Sequence, residues 1–151
     1  MTIKAYKNGK APRFDELKHT PIHLGEIDGC HHYAFPKGMI PPKGGKTIKG
    51  DDLKEILSQS PIISNVKIKA AERILDIAPL WRQQNALSDL VRLQNKSKPT
   101  EDEKERLIES ESLLASIETI RERSNQIEDD VCNGIIVDLE VDATWNIKAN
   151  D

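Results

Sequence analysis

The chain has 151 residues, of which 4% are aromatic and 31% charged, enough for one domain with a modest, mainly aliphatic core. No apolar run reaches the roughly 18 residues that a bilayer crossing requires, and the N-terminal MTIKAYKNGK lacks the apolar stretch of a secretory signal, so the expectation is a soluble chain made in the cytoplasm. The net charge of −3 conceals a bipolar chain: residues 1–69 carry 12 Lys and Arg against 7 Asp and Glu, and residues 70–151 carry 10 against 18.

The basic charges are spread singly among Gly and Pro with little aromatic interleaving, which argues against nucleic-acid binding and for contact with other protein subunits. Cys30 and Cys132 lie far apart in segments of different character, which gives no disulfide framework and suits a reducing compartment.

Residues 1–50 read as an extended arm. Within it, Asp28-Gly29 separates two β-compatible runs, the preferred sequence of a two-residue type I′ hairpin. The turn predicts Ile27 opposite Cys30, Leu24 opposite Tyr33 and Ile22 opposite Phe35, with Ile22, Leu24, Tyr33 and Phe35 as one apolar face. The following KGMIPPKGGKTIKG reads as a solvated basic linker.

Residues 51–132 read as an antiparallel helical hairpin. Asp51 caps a short helix, Ser60-Pro61 breaks it, and Ser64 or Asn65 caps a longer one starting near Val66. Ala70, Ile74, Ile77, Ala78 and Trp81 continue one apolar stripe, and Pro79 predicts a kink with a restart of the helix. Thr100 and Glu103 fit a capping box. Leu113, Ile117, Ile120, Ser124, Ile127 and Val131 are spaced as a coiled-coil seam. Folding the pair about residue 98 predicts Trp81 buried against Leu113, Leu114 or Ile117. It also places Asn85 opposite Ser110 or Glu111, as a register-fixing hydrogen-bonding residue, with Asn125 beside the seam at Ser124.

In residues 133–151, every odd position from Ile135 to Ile147 is apolar, which predicts a β-strand. Its face of Val137, Leu139, Val141 and Trp145 is the expected protein-interaction element, joining a neighbour's sheet by strand addition. The overall expectation is α+β: N-terminal hairpin arm, helical hairpin, C-terminal strand.

Chemistry-bearing patterns are sparse. His23, Cys30 and His32 are predicted on one hairpin face, but a tetrahedral zinc site needs four ligands and His19 is the only nearby addition; no metal is expected. Pro42-Lys43-Gly44-Gly45-Lys46-Thr47 fails as a phosphate loop, because Ile40 stands where the first glycine belongs and no helix follows. No nucleophile motif or facing carboxylate pair is present, so neither catalysis nor a cofactor is expected.

Two segments, Ala78-Pro79-Leu80-Trp81-Arg82-Gln83-Gln84-Asn85 and Ile120-Arg121-Glu122-Arg123-Ser124-Asn125-Gln126-Ile127-Glu128, resemble the P-x-W-[KR]-Q-x-N and I-R-x-x-S-N-x-[IL]-E helix pair of small proteins and fibre termini of tailed bacteriophages. Pro79, Trp81, Asn85, Ile120, Ser124 and Asn125 carry the match. The stretch from Glu26 to Pro36 is similar to the I-D-G-x-x-Y segment that often precedes that pair. The resemblance implies a non-enzymatic virion subunit of the tail tip, baseplate or fibre attachment region. Other tail proteins would be its partners, in a homo- or hetero-oligomer; the alternative is a tail-assembly chaperone absent from the mature particle.

Overall fold

A computed structural model describes residues 1–14 and 20–145. The fold is α+β, with the order β1 Thr2–Lys7, β2 Ile22–Ile27, β3 Cys30–Phe35, β4 Lys46–Ile48, α1 Asp51–Gln59, α2 Pro61–Ile77, α3 Leu80–Leu93 and α4 Glu101–Cys132, ending in a 3-10 turn Asp142–Trp145. No described helix is long and apolar enough to cross a membrane.

The first fifty residues form a sheet rather than an arm. Its strand order is β2-β3-β1-β4, with β1 antiparallel to both β3 and β4. The stretch read as a solvated linker supplies β4, where Ile48 pairs with Ile3 and is buried. The β2–β3 turn is the expected one, with Asp28 and Gly29 at φ 50 and 67 and Ile27 opposite Cys30.

Beyond Gly25 the register departs from expectation: Gly25 pairs with His32, His23 with Tyr33 and Ile22 with Ala34, across a bulge at Leu24. Gly25 has φ 132, and a Cβ there would lie 2.7 Å from the Pro61 ring, so glycine lets helix α2 close on the sheet. The extra residue moves Tyr33 off the predicted apolar face. Ile3, Ile22, Leu24, Ile27 and Ala34 instead form the inner face, which packs under Ile56, Ile63, Val66 and the Ile127–Cys132 end of α4.

The helices start where local chemistry allows. Pro61 occupies the first turn of α2, and Ser60 is its cap position although its hydroxyl donates to the Leu24 carbonyl at 2.6 Å. A proline at that position needs no donor, so α2 begins five residues before the expected Val66. The α4 capping box is present, with Glu103 N–H donating to Thr100 Oγ1 at 3.3 Å and Thr100 N–H to Glu103 Oε2 at 2.9 Å.

The C-terminal segment corrects the expectation most. Residues 135–141 are irregular rather than a strand. Arg73 Nη2 donates to the carbonyls of Leu139 and Glu140 at 3.2 and 3.1 Å, and Arg123 Nε donates to that of Thr144 at 2.6 Å. Glu140 N–H turns back onto Asp138 Oδ1 at 3.0 Å. Of the alternating apolar side chains, Val137, Leu139 and Trp145 turn into the body while Ile135 and Val141 stay exposed, and the carbonyls of this segment are held by arginines instead of a neighbouring strand. Trp145 is fully buried among the core residues, with Val137 and Leu139 packed against them. One core therefore draws on residues from 1–50, 51–132 and 133–145 together. His19 and the end of the alternating run, including Ile147, lie outside the described residues.

Cys132 belongs to that core, and burial, with help from Asp129 and Glu128, pushes its thiol up to about 11. At pH 8 it stays protonated. Titration of the folded chain with an aromatic disulfide reagent is expected to modify Cys30, which is half-buried, and to spare Cys132 until denaturant is added.

Candidate functional site: the outer face of helix α3

The segment Pro79–Asn85 opens α3, and the structure divides it between folding and display. Helix α2 ends at Ile77, Ala78 leaves the helical region at φ −144 and ψ 84, and Pro79 is the N-cap residue of α3. The chain therefore breaks rather than kinks. Two side chains satisfy the carbonyls this break leaves open: Gln83 Nε2 donates to Ala78 O at 2.7 Å and Arg82 Nη1 to Ile77 O at 3.3 Å.

The restart re-phases the helix. On α3 the buried positions are Ala86, Asp89 and Leu93, which face α4. Trp81, in phase with Ile74 only if the helix were continuous, is turned outward and is 63% exposed, not buried on Leu113, Leu114 or Ile117 as expected. Asn85 and Asn125 are also exposed, and among the described residues neither amide bridges the helices. Asn85 does line, with Ser110, a cavity of about 140 Å³ between α3 and α4, so the two stand opposite each other as expected.

The cross-hairpin link is Asp89 instead, a residue the spacing of apolar positions passes over. Its carboxylate oxygens accept from Arg106 Nη2 at 2.6 and 2.7 Å, and Arg92 Nη2 adds a contact at 3.3 Å. The signal in the sequence is that Asp89 lies three residues after Ala86 and four before Leu93, on the inner stripe. Of the second motif, Ile120 and Ile127 are core residues and Ser124 is buried, where a small side chain allows close approach of the helices.

What remains outside is an uncharged face. Leu80, Leu87 and Val91, spaced i, i+7 and i+11, are 65%, 54% and 78% exposed, and Gln84, Ser88 and Trp81 flank them on the same side of the helix. Helix α3 has α4 as its main partner. A two-helix layer covers one side of each helix and leaves the other bare.

Of the residues expected to mediate interaction through a C-terminal strand, Trp145 is in the core, Val137 and Leu139 are partly buried against it, and Val141 alone is exposed. They do not form a docking face. The candidate metal ligands are separated as well. The bulge at Leu24 places His23 on the outer face beside His31, with Nε2 and Nδ1 3.2 Å apart, while His32 faces the helices and is buried. Among the described residues no group of three or more His, Cys, Asp or Glu is arranged to hold a metal.

Burial lowers the pKa of His32 below the usual histidine value, and His23 is lowered too, by burial and by His31. The unfolded chain therefore takes up protons first as pH falls through about 6.5, so stability is complete above that pH and declines below it until the folded-state values are reached. The urea midpoint is expected to fall between pH 7.5 and 5.5, and His32→Gln to flatten part of that fall. A midpoint independent of pH in that window would contradict the burial of neutral imidazoles.

No family model, curated protein or solved structure matches the chain.

Proposed function

We propose that this chain is a non-enzymatic structural subunit of a tailed-phage virion, in the tail tip, baseplate or fibre attachment region, and that it docks on other tail proteins through the outer face of α3. The observation that carries the docking face is the exposed set Leu80, Trp81, Leu87 and Val91, with no charged residue among Leu80, Trp81, Gln84, Leu87, Ser88 and Val91. Contiguous exposed apolar surface marks interaction sites, and a tryptophan among aliphatic side chains and neutral amides has the composition of an interface centre, from which charged groups are depleted. The resemblance of Pro79–Asn85 and Ile120–Glu128 to the phage helix pair supports the virion setting.

Strand addition by residues 135–147 is not part of this reading, because Trp145 is buried within its own chain. The experiment is site-specific photocrosslinking from position 84 in phage-producing cells. Adducts with tail proteins are expected; adducts confined to unrelated host proteins, or none while a probe at position 116 crosslinks tail proteins, would contradict the assignment of the face.

A further inference from the structure

A second site lies in the sheet body, built from elements other than α3. A cavity of about 700 Å³ separates the inner face of the sheet from α1, within the range of roughly 300–1,000 Å³ typical of small-molecule clefts. Ala5, Ile27, Ile48 and Ile56 give it an apolar wall. His32 also lines it; the residue is 3% exposed, and its Nδ1 has no hydrogen-bond partner. A buried nitrogen left unpaired is costly, and a ligand atom that pairs with it removes the cost.

The mouth carries Lys7, Lys10, Lys43 and Lys46. Asp52 holds Lys46 at 2.7 Å, whereas Lys7, Lys10 and Lys43 have no carboxylate partner among the described residues. Asp28 and Glu55 also line the cavity, so the lysines exceed the acids by a single charge, which suits a monoanion and not a polyphosphate. The loop that presents Lys43 is seated closely: at Gly45, φ 69, a Cβ would stand 2.8 Å from the Ala5 carbonyl.

We infer that this cavity binds a small organic monoanion with an apolar body, a medium-chain or aryl carboxylate. Its hydrocarbon lies on Ile27, Ile48 and Ile56, and its oxygens take the hydrogen bond of His32 and the field of the lysines. The site is independent of the α3 face and of any tail partner.

The test uses the full chain and the fluorescent aryl sulfonate 8-anilinonaphthalene-1-sulfonate as probe, with octanoate, 1-octanol and octylammonium as competitors. One saturable site is expected, with octanoate displacing the probe at concentrations about tenfold or more below those of octanol, and octylammonium ineffective. Replacing Lys10 and Lys43, both at the mouth, by glutamine is expected to weaken octanoate about three- to tenfold and leave octanol unchanged. His32→Phe is expected to remove octanoate's advantage over octanol. Trp81→Ala is expected to leave probe binding intact, which separates this site from α3. Equal displacement by octanol and octanoate, indifference to the lysine pair, loss of probe binding in Trp81→Ala, or absence of a saturable site would each overturn the inference. The lysine variant decides the matter if His32→Phe does not fold.

Discussion

Trp145→Ala is expected to lower stability by about 3–5 kcal/mol, the range for removing a fully buried tryptophan. The indole is 0% exposed, its Nε1 donates to the Leu139 carbonyl at 2.9 Å, and the Arg73 guanidinium lies 5.5 Å from the ring centre. Its loss opens the core beside α2 and α4. It also frees Arg73, which otherwise ties residues 139–142 to α2. Trp81→Ala, by contrast, is expected to stay within about 0.5 kcal/mol of the parent, as exposed substitutions do. Urea unfolding of the two variants reads the difference directly. A Trp145→Ala effect below about 1 kcal/mol would mean that residues 135–145 are not docked on the body.

The largest functional effect is expected at the α3 face. The double substitution Leu80→Asp and Trp81→Ala removes an aliphatic contact and an aromatic anchor and puts a charge where a partner would have to desolvate it. Interface anchors of this kind carry about 2 kcal/mol or more each, roughly thirtyfold in affinity. The variant is expected to fold with an unchanged urea midpoint and to compete poorly with the parent for assembly when both are expressed in phage-producing cells. Equal incorporation of variant and parent would remove α3 from the interface.

Local signals predicted local structure well. Asp28-Gly29 set its turn, Thr100 with Glu103 set the start of α4, and Ile117, Ile120, Ser124, Ile127 and Val131 are all buried along its seam. Two of the misreadings share one cause, a periodicity carried past a point where the backbone changes phase. Pro79 restarts the helix and turns Trp81 outward. The bulge at Leu24 turns His23 away from His32. At residues 135–145 the alternation brings Val137, Leu139 and Trp145 inward but leaves Ile135 and Val141 exposed; the strand it suggests needs a partner edge, and Arg73 and Arg123 take carbonyls of Leu139, Glu140 and Thr144 instead. The pairing of β1 with β3 and β4 is long-range, with no local turn to announce it, and β4 is only three residues long.

For the α3 face, the sequence displayed the parts without their orientation. Leu87 and Val91 fall out of step with the stripe of Ile74 and Ile77, and that mismatch marks the exposed side of the helix. Asp89 and Arg106 were legible only as charges, since nothing in their spacing says that they meet across the hairpin at 2.6 Å.

The proposal of a phage-tail structural subunit is tested most directly by quantitative mass spectrometry of phage particles purified from cells that produce the chain. The chain is expected in intact particles at a fixed stoichiometry to the major tail proteins, retained after salt washing and enriched in isolated tails. Its absence from particles, with the chain abundant in the lysate and bound there to unassembled tail proteins, would contradict the claim and identify an assembly chaperone instead.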